Sequence, residues 1–448
     1  MRHRGLAIRP GGGVTVRYHA VSRSVFRAIA AGGGGAEALS VLGAAQYSKN
    51  LLLLSGILDA AGGADPDQRR LAHSGYELLA VAQRHDPAAA NVVITHPSVG
   101  AWARHTLQAL RGRPAQPGAE PGMLSAVGTA AAIRAGLTAQ TEVLVRDQAV
   151  MLPSLGAAAA GGDLAVVRST ASGAEVDSVV RRVEIPADPH VDVPGWRGLR
   201  RLTAGSLDAV IDDVDPFRMP AEPDLASRMS AARADTWTAA FRDAWPVLDQ
   251  HHRAIAVEVA AAVKVVVPRN EPPAGVVSSS SPETFGAVAM SQPPDGRALA
   301  ETLAHEVQHV KLSALQDVVS LTAPDDGRRF YAPWRDDPRP VAGLLQGAYA
   351  FLGVSGFWRG QRHHEVGAAG IRAQASFARW RAATALAIAT LRSSGCLTEP
   401  GQEFVQGMAR TLSPWLAEPV PAQAYALAQQ QDQRHRDRWR SVNGLIPT

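Results

Sequence analysis

The spacing of hydrophobic positions predicts a mostly helical chain with strands in its middle. Apolar residues recur at helical spacing over 16–112, 123–150 and 223–263. Apolar and polar residues alternate over 151–204, which predicts two or three strands there. Four more helices are predicted over 339–359, 365–395, 400–416 and 421–441. The predicted fold class is α+β, predominantly helical.

A Pro/Gly-rich stretch, RPAQPGAEPG over 113–122, is typical of a long loop. It separates elements of different character, so the chain is predicted to contain three parts. These are a helical N-terminal region over 1–112, a mixed α/β middle region over 113–222, and a helical catalytic domain over 223–448.

Two short apolar stretches, VKVVVP (263–268) and TFGAVAMS (284–291), predict buried strands. A long helix is predicted directly after the second of them, with Asp295 as its N-cap. This helix carries the sequence LAHEVQHVKL (303–312) and therefore an HExxH motif.

His305 and His309 are four residues apart, so they lie on one face of that helix and can share a metal ion. Glu306 lies off this line but can reach a metal-bound water. The alternative is a pair of surface histidines on an amphipathic helix. The apolar neighbours and the preceding strand favour a metal site.

A third ligand has to come from another element, because the residues after His309 lack the glycine and third histidine of a metzincin. Asp317 lies two turns further along the helix, too far to join the pair. His363 and His364 belong to a predicted exposed turn. Gln346, on the helix VAGLLQGAYAFLGVSGFW, is the remaining candidate ligand.

The loop RRFYAPWRDDPRPVAG (328–343) is dense in polar and aromatic residues. Arg335 and Arg339 could clamp a carboxylate through two-pronged hydrogen bonds. They could equally form structural salt bridges with Asp336 and Asp337.

Composition narrows the possible partners and location. The net charge is +4 over 448 residues, and the basic residues are scattered and almost all arginine, so no nucleic-acid partner is expected. The single cysteine, Cys396, excludes a disulfide framework and fits a reducing cytoplasm. The N-terminus lacks the apolar core of a signal peptide, and no run of 18 apolar residues predicts a membrane span. A cytoplasmic location is expected.

Three ordered motifs, HEVQHVKLSALQDVVSL, YAPWRDDPRP and GLLQGAYAFLGVSGFW, resemble the HExxH-motif peptide modification proteins of actinobacterial ribosomal-peptide clusters. The opening stretches AAGGGGAEALSVLGAAQYSKNLLLL and HPSVGAWARHTL are similar to that family too. The resemblance covers most of the chain, with roughly 113–220 the least distinctive part.

The resemblance implies a peptide β-hydroxylase that uses Fe(II) and α-ketoglutarate and acts on a precursor peptide. His305 and His309 would hold the iron, and Arg339 or Arg335 would pair with the co-substrate carboxylate. Gln346 stands where a histidine is common in the family.

The residues themselves leave two other functions open. A zinc metallopeptidase would use the same histidines, with Glu306 as general base. For either enzyme, the metal site is predicted to lie on a gluzincin-like helix pair with a small antiparallel sheet. A non-catalytic peptide-binding scaffold is a third possibility, because a glutamine is an unusual metal ligand.

Overall fold

The computed structural model describes residues 3–5, 17–220, 222–272 and 275–444, and its fold class is α+β. Thirteen α-helices are found in these residues: α1 Arg23–Ala30, α2 Gly35–Ala60, α3 Pro66–His85, α4 Pro87–Ile94, α5 Pro97–Leu110, α6 Leu124–Arg134, α7 Ala231–His251, α8 Arg253–Ala262, α9 Gly296–Gln316, α10 Val341–Gln361, α11 Gly367–Ser393, α12 Glu399–Leu416 and α13 Ala422–Asn443. The strands of the same residues are β1 His3–Gly5, β2 Arg17–His19, β3 Ala139–Leu144, β4 Ala149–Leu152, β5 Gly156–Ala159, β6 Leu164–Thr170, β7 Gly173–Asp177, β8 Arg182–Ile185, β9 Trp196–Gly198, β10 Arg200–Ala204, β11 Leu207–Ile211, β12 Val265–Pro268, β13 Ser278–Ser279 and β14 Ala287–Met290.

The N-terminal helices pack around one apolar core, in which α3 and α6 come unusually close. A Cβ on Gly75 would lie 2.3 Å from the carbonyl oxygen of Leu124, and one on Gly128 would lie 2.2 Å from that of Gly75. Glycine at both positions therefore lets the two helix backbones touch. The helices predicted over 16–112 are confirmed as α1 to α5.

The predicted helix over 123–150 is wrong beyond Arg134, where α6 ends. β3 and β4 follow instead, joined by a turn in which Asp147 and Gln148 both have positive φ. A two-residue turn of this kind matches the twist of antiparallel segments, and here it carries an antiparallel bridge between Arg146 and Ala149. The alternation of apolar and polar residues in QTEVLV therefore outweighs the alanine-rich lead-in.

The middle region holds two small antiparallel sheets, with strand orders β3-β6-β7-β8 and β4-β5-β9. Seven strands, β4 to β10, lie in or overlap 151–204, which is more than the two or three predicted there.

The sheet beside the HExxH helix differs from the predicted antiparallel one. Its strand order is β10-β11-β12-β14-β13, and the pairs β11-β12 and β12-β14 are parallel. The helices α7 and α8 lie between β11 and β12 in the chain, and such a helical crossover returns the strand in the same direction. Strand β13 is antiparallel to β14 and lies at the edge of the sheet.

Helix α9 begins as predicted. The side chain of Asp295 accepts a hydrogen bond from the backbone N–H of Ala298 at 2.7 Å, which satisfies one of the free donors at the helix start. The helix then runs through the interior, packed on α10, α7, α8 and α2. Its motif is therefore held from several sides.

One helix of the described residues, α10, is long and apolar enough to cross a membrane, and 67% of its apolar stretch is buried inside the protein. Helices α1 and α2 together are also long and apolar enough if they are counted as one span, although the chain bends by 112° between them. Burial of this kind is typical of a core helix.

Candidate metal centre

The two motif histidines converge. Their Nε2 atoms lie 3.1 Å apart, and their rings meet edge to face at 70°. Two imidazole nitrogens that share a cation at about 2.1 Å each stand roughly 3 Å apart. The spacing of His305 and His309 therefore suits one shared metal ion, and without a metal the same spacing is that of a direct N–H···N hydrogen bond between the two rings.

The surroundings keep His305 in the neutral form that binds metals. Burial, and then the neighbouring His309, hold the pKa of His305 well below its ordinary value. Phe351 of α10 closes one side, with its ring edge-on at 5.1 Å from that of His305.

Gln346 contacts the far edge of His309. Its Oε1 lies 3.0 Å from His309 Nδ1, and its amide nitrogen donates to Gln316 Oε1 at 2.7 Å. Because an amide oxygen only accepts, Nδ1 carries the proton and Nε2 keeps its lone pair facing His305. In this arrangement Gln346 orients the ring, as outer-shell partners of metal-binding histidines do, and its amide does not face the converging nitrogens.

Glu306 is buried, with 1% of its surface exposed. Its Oε1 accepts a 2.6 Å hydrogen bond from Ser278 and lies 3.9 Å from His305 Nε2. Its Oε2 is buried and has no hydrogen-bond partner within the described residues. Buried carboxylate oxygens without a partner are rare in folded proteins. A bound cation or a water held by that cation would supply the missing partner.

These residues fit a metal ion in part. Across the described ranges no group of three or more His, Cys, Asp or Glu side chains is gathered in a way that could hold a metal. The protein therefore offers two imidazoles with one carboxylate beside them. The other positions around an ion would fall to that carboxylate, to water or to a bound ligand.

The two loop arginines both contact Asp337. Arg335 Nε lies 2.7 Å from its Oδ1, and Arg339 Nη1 lies 3.0 Å from its Oδ2. Asp336 is separately paired with Arg438 of α13. The salt bridges that were the alternative to a carboxylate clamp are thus present. The clamp is still possible, because Asp337 is half exposed and the Nε of Arg339 is buried without a partner within the described residues.

The loop also reaches the histidine pair through Trp334. This indole stacks on Phe351 with ring centroids 4.7 Å apart, and Phe351 in turn touches His305. A Cβ on Gly347 would lie 2.5 Å from the indole, so glycine is needed at that position. Gly347 thus makes room for the side chain of a loop residue.

Ser278 is the site residue that the sequence did not identify. It belongs to a run of four serines, 278–281, which looks like an ordinary polar turn. The run precedes the buried strand β14 and the motif helix, and that position is the only signal it offers.

Asp317 is held by Gln46 and Lys49 at 2.8 and 2.9 Å, which agrees with its exclusion as a ligand.

No protein-family model and no curated protein matches the chain. Inference about function therefore rests on the geometry of the histidine pair and its neighbours.

Proposed function

We propose that the chain is a peptide β-hydroxylase that uses Fe(II) and α-ketoglutarate and modifies a ribosomally made precursor peptide in the cytoplasm. The observation that carries the proposal is the pair of converging Nε2 atoms on a buried helix, beside the buried carboxylate of Glu306, one oxygen of which lacks a partner. The three ordered motifs around this pair support the hydroxylase over other metal chemistry.

His305 and His309 would hold the iron, with Gln346 fixing the tautomer of His309. When bound, iron supplies the oxidation of a C–H bond by O₂, with α-ketoglutarate converted to succinate and CO₂. Two imidazoles and one further group suit such a centre, which keeps positions open for the co-substrate and O₂.

Arg339 and Arg335 would bind the carboxylate of the co-substrate in place of Asp337. Their present ion pairs lie near the surface, and exposed pairs contribute only about 0–1 kcal/mol, so exchange costs little. Trp334 and Phe351 would shield this side of the site from water.

A zinc metallopeptidase is the second candidate, and the contacts of Glu306 favour it. Ser278 fixes Oε1 of that carboxylate 3.9 Å from His305 Nε2, and Oε2 has no partner among the described residues, so the group has an oxygen that can accept a proton as a general base does. A non-catalytic peptide-binding scaffold is the third candidate. It is supported by the lack of a three-residue ligand group within the described part of the chain.

One experiment separates the three. The protein is reconstituted without oxygen with Fe(II), α-ketoglutarate and the precursor peptide encoded beside it, air is admitted, and the peptide and succinate are measured by mass spectrometry. A gain of one oxygen with matching succinate supports the hydroxylase. Cleavage that requires zinc and is lost in Glu306→Gln identifies the peptidase. Absence of both products, with no metal-dependent rise in melting temperature, supports the scaffold.

A further inference from the structure

A cavity of about 570 Å³ lies between the start of the 328–343 loop, the C-terminal half of α11 and the last turns of α13. Ten residues line it. Four of these are arginines and none is acidic: Arg328, Arg329, Arg436 and Arg440. None of the ten belongs to the histidine site.

The arginines differ in how firmly they are held. Arg328 is fixed, because it donates to Ser394 O and to Cys396 Sγ, both at 2.7 Å, and pairs with Asp326. Ser394 follows the C-terminal end of α11, where the helix dipole is negative. Arg328 thus offsets the negative end of this helix at the cavity.

The other three are available to a ligand. Arg329 and Arg440 each contact one carboxylate outside the lining, Asp325 at 3.0 Å and Asp437 at 3.5 Å. Both pairs are exposed and therefore weak. Arg436 forms no ion pair with any residue that the structure describes, but it contacts the hydroxyl of Tyr331, which also lines the cavity, and Asp432 lies one turn before it in α13. An anion entering the cavity would replace the Tyr331 hydroxyl on Arg436 and draw Arg329 and Arg440 from their exposed carboxylates.

The rest of the lining indicates what kind of anion fits. Guanidinium groups match the oxygens of phosphate with paired hydrogen bonds. Phe330 and Tyr331 add aromatic surface, and Thr390 and Ser393 add hydroxyls. The volume lies in the range of pockets for small organic ligands, about 300–1,000 Å³. We propose that this cavity is a binding site for a phosphorylated small molecule, separate from the histidine centre.

Isothermal titration of the full chain with inorganic pyrophosphate tests this. We expect saturable binding, weakened at least about tenfold in an Arg436→Gln/Arg440→Gln variant that loses two charged hydrogen-bond donors. Arg434→Gln is the matched control, because Arg434 is an exposed arginine of the same helix that does not line the cavity. It should bind like the unaltered protein. Both cavity positions are exposed, so the melting temperature should not change.

Two further titrations show where pyrophosphate binds and whether the cavity prefers pyrophosphate to carboxylates. His305→Ala should bind pyrophosphate normally, whereas loss in that variant would show that a metal at the histidines had captured the probe and would overturn the proposal. An octaglutamate peptide should bind more weakly than pyrophosphate. No saturable pyrophosphate binding, an equal loss in Arg434→Gln, or preference for the peptide would also overturn it.

Discussion

The hydroxyl of Ser278 lies 2.6 Å from Oε1 of Glu306, and it joins an edge strand to the motif helix. The next residue, Ser279, points to the other side of β13 and donates to Glu222 Oε2 at 2.7 Å. Glu222 is paired in turn with Arg269 at 2.8 Å. Strand β13 is therefore fixed on both faces, and the orientation of Glu306 depends on it.

Ser278→Ala should destabilise the protein by about 1–3 kcal/mol, because it leaves a buried carboxylate oxygen unpaired. Urea unfolding measures this loss. In a Glu306→Gln background the same change should cost less, since the charge that needs the hydroxyl is gone. Equal effects in both backgrounds would show that Ser278 does not act through Glu306.

Gln346→Leu should lower metal affinity about 10–100-fold, the usual effect of losing an outer-shell partner, without abolishing binding. Gln361→Leu is a matched control on the same helix, since Gln361 is buried and contacts His252 instead. Titration with Co²⁺, followed by its visible spectrum, compares the two variants with His309→Ala. If Gln346→Leu loses metal as completely as His309→Ala does, Gln346 is a ligand itself.

Local patterns were enough to predict α9 and the four helices after it, because helix capping and 3.6-residue spacing depend on residues that are close together in the chain. They were also enough to place His305 and His309 on one face. The strands after Arg134 were missed, because an alanine-rich stretch satisfies helix and strand patterns alike.

The contacts that complete the candidate site could not be predicted, because they join residues far apart in the chain. Ser278 is 28 residues from Glu306, and Gln346 is 37 from His309. A sequence pattern shows that Gln346 is near the pair but not which edge of the ring it meets.

A buried ion pair holds the back of the motif helix. Lys311 Nζ lies 2.5 Å from Glu258 Oε2 and also donates to the carbonyl oxygens of Gly32 and Gly33. Gly34 follows with a φ of 114°, a conformation that suits glycine and lets the turn between α1 and α2 present these carbonyls.

Lys311→Met should cost about 3–5 kcal/mol of unfolding free energy, because it leaves the Glu258 carboxylate buried and unpaired. The double variant Lys311→Met/Glu258→Gln should be more stable than Lys311→Met alone, since the charge is removed while an acceptor for Gly35 N–H remains. Lys264→Met changes an exposed lysine and should stay within about 0.5 kcal/mol of the unaltered protein. Guanidinium unfolding compares the three, and a small loss in Lys311→Met would show that the pair contributes little.

His96 should make stability depend on pH. Burial, and then the positive charge of Arg134, lower its pKa to about 3, whereas in the unfolded chain it titrates near 6.5. Between these two pKa values the unfolded state binds a proton that the folded state does not bind. The contribution of His96 to the unfolding free energy is therefore fully present above about pH 6.5 and is lost as the pH falls toward 3. At pH 4.5 the loss from this residue should be about 2–3 kcal/mol.

His96→Gln removes the titration. Between pH 7 and pH 4.5 the unfolding free energy of this variant should therefore fall by about 2–3 kcal/mol less than that of the unaltered protein. His363→Gln is the control, because His363 is exposed and its substitution should leave the pH dependence unchanged. Parallel pH profiles for His96→Gln and the unaltered protein would contradict the prediction and show that His96 accepts a proton in the folded state.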